Sequence, residues 1–344
     1  MTQAAQPAVS PITIDVPALG ADVQCHELAP GRPPLFIEPR GAALRDRARF
    51  REWLGAVRPV LDDLVVAHGG IVLRGFPIAD TGDFADFIEG FPPFEGGYAG
   101  GRAPRATVSG RVMEATRLSS GVRLALHSEM AYRRDYPGRV AFFSRRTAPV
   151  GGETLIGDVR NLIDEMDPAL VRRIEALGTR TAINFGPKAT DQSASYGHMD
   201  QRGWNHSFET DDPEKVETLC TERGLQPIWN ADGSLTVLNV LDPFVRHPRT
   251  GKKLYRSILH MKPQAEQGLD IEISKTKKYP TGATLGDGNR LTAEEMAHID
   301  ALCDKVTYAW PWRDGDVMVL DNLQVWHGRN PYEGERDVQV ALLA

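Results

Sequence analysis

Between Ala42 and His68 the apolar residues Leu44, Phe50, Leu54, Val57, Leu61, Val65 and Val66 recur at three- and four-residue intervals, the spacing that lines one face of an α-helix. Gly69-Gly70 ends that run, since glycine takes the left-handed conformation of a helix C-terminus without a Cβ penalty. A second, shorter helix is predicted between Thr81 and Phe91. Elsewhere the pattern shortens to alternating or continuous apolar runs that read as strands. These are Ile71–Phe76, Ala106–Met113, Val122–Leu126, Val140–Ser144, Glu153–Asp158, Thr179–Asn184, Ser234–Val240, Asp316–Leu320 and Val338–Leu343. Helical spacing returns at Asn161–Leu177, Asp212–Gly224 and Thr292–Val306, the last opening on Thr292-Ala-Glu-Glu295, a capping box. Many short strands with a few helices predict a mainly β chain with flanking helices, closed as a barrel or double sheet.

Residues 1–17, rich in Ala, Pro, Thr and Val without periodicity, read as a flexible N-terminal arm, and 18–344 as a single domain, there being no repeat or linker to divide it. A net charge of −6 with dispersed Lys and Arg excludes a phosphate-tracking surface, so no nucleic-acid partner is expected. No stretch approaches the roughly 20 apolar residues that span a bilayer. The first twenty residues lack a basic segment followed by an apolar run, so no membrane association is expected and a cytoplasmic location is. Cys25, Cys220 and Cys303 are odd in number, far apart and without CxxC spacing, which argues against a disulfide framework or a thiolate zinc site.

Two histidines and one carboxylate on one face of a metal ion leave positions open for further ligands, and a sequence supplies such a set as HxD/E plus a distant His. The chain holds three such triplets, His127-Ser-Glu129, His198-Met-Asp200 and His298-Ile-Asp300. His298 and Asp300 fall within the helix beginning at Thr292, where positions i and i+2 face apart and cannot share an ion. His198 and Asp200 lie in a polar stretch with no strand pattern, which leaves their geometry unconstrained unless a partner fixes it. His127 and Glu129 follow the β-like run Val122–Leu126, where alternate side chains share a face, so both can converge on one point. The bland alternative is a hydrogen-bonded histidine at a strand end beside a solvated glutamate.

Phe94–Gly101 is a glycine-rich loop without the GK[ST] of a phosphate-binding loop. Gly151-Gly152-Glu153-Thr154 begins a strand, and Asp314–Asn322 reads as turn and strand leading to Trp326-His327-Gly328-Arg329, with Arg336 nine residues after His327.

In order, the HxE at His127 and Glu129, Thr154 of GGET 25 residues beyond Glu129, His327 in its DN…HGR context, and Arg336 resemble the TauD/TfdA-like group of 2-oxoglutarate oxygenases, which includes taurine dioxygenase and clavaminate synthase. Pro104–Gly110 and Leu126-His-Ser-Glu-Met-Ala-Tyr132 resemble the subgroup that contains the syringomycin-pathway aspartate hydroxylase. The resemblance covers roughly Leu73 to the C-terminus. It implies a double-stranded β-helix (jelly roll), with His127, Glu129 and His327 as ligands of Fe(II). It also implies that Thr154 and Arg336 hold the distal carboxylate of 2-oxoglutarate, with O2 as the other cosubstrate. An arginine fork suits a carboxylate, and a threonine hydroxyl can add a third hydrogen bond; the alternative for Arg336 is an ion pair with Glu333 or Glu335. Many relatives carry Asp where this chain has Glu129, and some carry a second Arg after the cosubstrate Arg where this chain has Asp337-Val338-Gln339.

The implied reaction is oxidative decarboxylation of 2-oxoglutarate to succinate and CO2, coupled to hydrogen abstraction from an aliphatic C–H bond of an amino acid or amino-acid-derived molecule in specialised metabolism such as antibiotic biosynthesis. Hydroxylation is the first expectation, with desaturation or cyclisation open, and the substrate is either free or tethered to a carrier protein. Arg102, Arg105, Arg117 and Arg123 are candidate contacts for a substrate carboxylate. Two rival classes remain: a zinc hydrolase on the same triad, and a metal-binding jelly-roll protein without oxygenase activity.

Overall fold

Alternation along the strands decides how the layers stack. The computed structural model describes residues 11–96, 107–115, 119–190, 203–261, 277–279, 281–310 and 312–344. A nine-stranded sheet runs in the order Ile12–Ile14, Val23–Glu27, Leu35–Pro39, Gly70–Leu73, Val317–Asp321, Arg139–Arg146, Asp337–Leu343, Val112–Glu114, Thr107–Ser109. Its central strands are buried on both faces, which is why they read as unbroken apolar runs. Ile71, Leu73, Ala141, Phe143, Val317 and Val319 point to one side, against Phe50, Leu54, Leu61 and Val65 of the helix Arg47–His68 and Phe84 and Phe87 of the helix Thr81–Ile88. The intervening Val72, Val140, Phe142, Met318 and Leu320 point to the other side, against Ile156, Tyr308, Trp310 and Val325.

Those last residues belong to a four-stranded sheet in the order Thr307–Trp310, Thr154–Asp158, Val325–Arg329, Leu124–His127. Its outer face carries Leu126, Leu155 and Trp326, which bury against Leu170 and Ile174 of the helix Pro168–Leu177 and Ile299 and Cys303 of the helix Ala293–Val306. The molecule is therefore helix, sheet, sheet, helix, and the two packed sheets make the jelly-roll core. A second four-stranded sheet, Gln226–Trp229, Leu235–Leu241, Thr179–Phe185 and Gly282–Leu285, packs Phe185 and Val237 against Trp204, Phe208 and Val216.

The predicted helix at Asn161–Leu177 is two pieces, Leu162–Glu165 and Pro168–Leu177, because Pro168 starts a new helix capped by the Asp167 carboxylate. The capping box at Thr292 and Glu295 forms as read. Within the predicted arm, residues 11–17 are not loose: Ile12–Ile14 pairs with Cys25–Glu27 at the edge of the large sheet. The three cysteines are free and buried, and burial pushes each thiol up, to about 11 for Cys25 and Cys220. Among the described residues no helix is long and apolar enough to cross a membrane.

Candidate metal centre

His127 ends one strand of the smaller sheet and His327 sits midway along its neighbour, directly opposite. Such cross-strand pairs share a face at close range, and the two rings lie 4.5 Å apart, centroid to centroid. The ladder then shifts register between His327 and Arg329. Gly328 occupies the shift, where a Cβ would stand 2.5 Å from the Leu124 carbonyl oxygen, so the strand bearing His127 can approach only a glycine. That close approach is the physical content of the HGR sequence.

Glu129 arrives differently from the sequence expectation. The strand stops at His127, and Glu129 stands in the following turn, beside Met130 at φ 55°. Its Oε2 lies 3.6 Å from His327 Nε2, and one ligand atom from each of His127, Glu129 and His327 falls within 4.8 Å of the others. Among the described residues this is the one group of three or more such side chains able to share a metal ion. The donor set fits iron on its own chemistry: two imidazoles and one carboxylate from one side leave coordination positions open. His127 Nδ1 lies 2.9 Å from the Ala125 carbonyl oxygen; a proton held there leaves the lone pair on Nε2 for a metal. Glu129 is 3 % exposed and His327 5 %, so water competes little for either.

Both histidines open onto a cavity also lined by Leu124, Phe142, Thr154, Arg329 and Arg336. Thr154 lies opposite Arg329 in the ladder, and its hydroxyl oxygen accepts a hydrogen bond from Trp312 Nε1 at 2.7 Å, which leaves the hydroxyl proton for another acceptor. Arg336 is anchored by Nε–H donating to the Gly152 carbonyl at 3.2 Å. Gly151 and Gly152 take φ of 70° and 74°, and a Cβ on Gly152 would press on Arg336 Cδ at 3.2 Å, so GGET is a turn shaped around this arginine. The ion pairs weighed for Arg336 do not form: Glu335 pairs with Arg146, and among the described residues no carboxylate meets Arg336. Burial, helped by the like charge of Arg329, pulls the Arg336 guanidinium down to about 10. A buried cation without an anion is costly unless a ligand supplies one.

Of the other sequence candidates, Arg123 lines a cleft on the outer side of the smaller sheet with Asp300, Cys303 and Asp304, away from this cavity. His298 accepts a hydrogen bond from the Asp167 backbone N–H. His198, Asp200, Arg102, Arg105, Arg117 and residues 97–101 of the glycine-rich loop lie outside the described residues. Sequence reasoning missed Trp312 and quoted Asn322 only within the DN…HGR context, without a role; each meets the site through tertiary contact.

Against known proteins, the family model "Taurine catabolism dioxygenase TauD, TfdA family" matches residues 33–342. The chain belongs to the TauD/TfdA family. Members are Fe(II)- and 2-oxoglutarate-dependent dioxygenases with O2 as cosubstrate, and so is this enzyme. The chain is 28 % identical over 288 residues to the dapdiamide synthesis protein DdaC of Enterobacter agglomerans, covering 82 % of this chain and 84 % of that one. It is 29 % identical over 318 residues to a clavaminate synthase-like protein of Arabidopsis thaliana, covering 90 % and 93 %. Among solved structures, PvcB from Pseudomonas aeruginosa shares the fold at a TM-score of 0.53 and 15 % identity, over 94 % of this chain and 92 % of that one.

Proposed function

We propose that His127, Glu129 and His327 hold the iron of this TauD/TfdA-family dioxygenase, that Arg336 and Thr154 hold the distal carboxylate of 2-oxoglutarate, and that the enzyme oxidises an aliphatic C–H bond of an amino acid or amino-acid-derived molecule, with hydroxylation as the outcome. The observation that carries the assignment is the Arg336 guanidinium, buried in the same cavity as the two histidines with no carboxylate partner among the described residues. An incoming carboxylate restores the missing charge and accepts two parallel N–H bonds, while the Thr154 hydroxyl donates a third. The match from 33 to 342 supports one oxygenase domain over 18–344.

When bound, iron supplies oxygen activation coupled to decarboxylation of 2-oxoglutarate to succinate and CO2. The protein's own part is orientation and exclusion of water. Trp312 N–H fixes the rotamer of Thr154, and Gly152 fixes the Arg336 stem. Phe142 packs at a steep angle against His327, ring centroids 5.1 Å apart, and supports that ring. Neither a zinc hydrolase nor a scaffold needs a dicarboxylate clamp beside the triad. The similarity to a dapdiamide synthesis protein supports a place in specialised metabolism.

The test is succinate release from 2-oxoglutarate by the iron-loaded enzyme, with free L-amino acids and small derivatives offered one at a time. Substrate-stimulated release, lost in His127→Ala, is the expected result. Stimulation by an aminoacyl carrier protein alone supports the tethered form of the substrate. Release by wild type that no amino-acid derivative in either form changes overturns the substrate class while leaving the iron chemistry intact.

A further inference from the structure

The carboxylate of the triad stands on Ser128–Pro137, a segment of turns and bends between two strands. Its backbone groups have no ladder to join, so something else must satisfy them. Asn322 does much of this. It is fully buried in the turn after Val317–Asp321, and both ends of its carboxamide serve the one segment. Oδ1 accepts from the Glu129 backbone N–H at 2.7 Å, and the Ser128 hydroxyl donates to the Asn322 main-chain carbonyl at 2.8 Å with Oδ1 3.2 Å away. Nδ2 donates to the carbonyls of Glu129 at 3.0 Å and Pro137 at 2.8 Å.

Two other remote side chains hold the rest of the segment. Arg256 Nη2 donates to the Met130 and Arg133 carbonyls at 2.6 and 2.9 Å, and Asn239 Nδ2 donates to the Tyr132 carbonyl at 2.8 Å. Met130, the neighbour of Glu129, is in the left-handed region, which a methionine keeps only when its surroundings insist. The turn that carries Asn322 is itself locked. The Asp321 carboxylate accepts from the backbone N–H of Leu323 and Gln324 and from Gln324 Nε2, and lies 2.8 Å from His247 Nε2.

We propose that Asn322 is a positioning residue for the metal, setting the Glu129 carboxylate opposite His127 and His327. The proposal rests on the triad reading above. An amide is required rather than any side chain of that size, because two carbonyl oxygens face Nδ2 and one N–H and one hydroxyl face Oδ1. Aspartate, nearly the same in volume, keeps the acceptor and sets an oxygen against two carbonyls.

The experiment measures Mn(II) affinity of the metal-free enzyme by calorimetry or electron paramagnetic resonance, well below the melting temperature, for wild type, Glu129→Ala, Asn322→Asp and Ser128→Ala. Loss of supporting contacts around metal ligands typically weakens binding roughly ten- to a hundredfold, and Asn322→Asp is expected in that range with the circular dichroism of wild type. Ser128→Ala, which removes the hydroxyl that ties the Glu129 turn to the Asn322 main-chain carbonyl and Oδ1, is expected to weaken Mn(II) several-fold and decides the matter if Asn322→Asp does not fold. Wild-type affinity in every Asn322 and Ser128 variant that folds overturns the proposal, since a space-filling role is all that remains. Wild-type affinity in Glu129→Ala as well overturns the triad reading itself.

Discussion

Replacing Arg336 by methionine separates a ligand-binding role from a structural one, because the two predict opposite signs for stability. In the ligand-free enzyme the guanidinium is largely buried beside Arg329, with no carboxylate partner among the described residues, and is held down near 10. At about 1.4 kcal/mol per unit the shift corresponds to roughly 3 kcal/mol, and allowing for partial solvent screening leaves about 1–3 kcal/mol of destabilisation. Methionine keeps much of the stem and removes the charge. With roughly 2.1 cal/mol/K of unfolding entropy per residue, a chain of 344 residues gains on the order of 1–4 °C in melting temperature. The depressed group costs stability in full below its folded value of about 10, and the cost fades only as pH climbs from there toward 12.5. The gain is therefore flat between about pH 6 and 9. In the presence of 2-oxoglutarate the sign reverses. Losing the partner of a buried, hydrogen-bonded carboxylate costs about 2–5 kcal/mol, which is a roughly 30- to several-thousandfold weaker dissociation constant. The assays are thermal melting without ligand and anaerobic titration of 2-oxoglutarate into the Fe(II) enzyme. A variant that melts lower without ligand and binds 2-oxoglutarate as wild type would refute the reasoning, since Arg336 would then be a stabilising surface-type cation.

Thr154→Val should weaken 2-oxoglutarate by about one to two powers of ten, the worth of one hydrogen bond to a charged group. It should also lower the melting temperature, because Trp312 Nε1 loses its acceptor. Gly328→Ala sets a methyl 2.5 Å from the Leu124 carbonyl; overpacking of about 1–3 kcal/mol should push the His127 strand away and weaken Mn(II) binding, read by melting and calorimetry. Burial pushes the His260 imidazole down to about 4 from 6.5. The unfolded chain therefore takes up a proton before the folded one does, and stability falls as pH drops from about 6.5 to 4, by up to roughly 3 kcal/mol. His260→Phe, which keeps a ring stacked on Trp326, should melt with a shallower slope over that window; an unchanged slope would rule out His260 as its source.

Much of the architecture was legible because burial on both sides of a strand leaves unbroken apolar runs, as at Val140–Ser144 and Asp316–Leu320, and because the helix Arg47–His68 presents one apolar face. The candidate iron ligands were legible for a different reason: HxE and HGR are local, and Gly328 writes the strand approach into the chain. Leu35–Pro39 escaped notice since Pro33-Pro34 and Pro39 punctuate its short apolar core, and Thr307–Trp310 escaped because it follows a helix directly. Glu129 was expected to be aimed by strand alternation, whereas a carboxamide 193 residues away does it. No spacing rule reaches that far, and the same holds for Trp312, whose N–H finds Thr154 across 158 residues. Of the four arginines considered for a substrate, Arg123 lines a different cleft, with Asp300 and Asp304.

The most direct measurement is anaerobic addition of Fe(II) and then 2-oxoglutarate to the metal-free enzyme, followed by visible absorption. A weak charge-transfer band that saturates at one iron and one 2-oxoglutarate per chain, and that His127→Ala, Glu129→Ala and His327→Ala each abolish or weaken severely, is what the account predicts. A full band in any one of those variants would contradict the assignment of that residue as a ligand, and its absence from wild type would contradict the site as a whole.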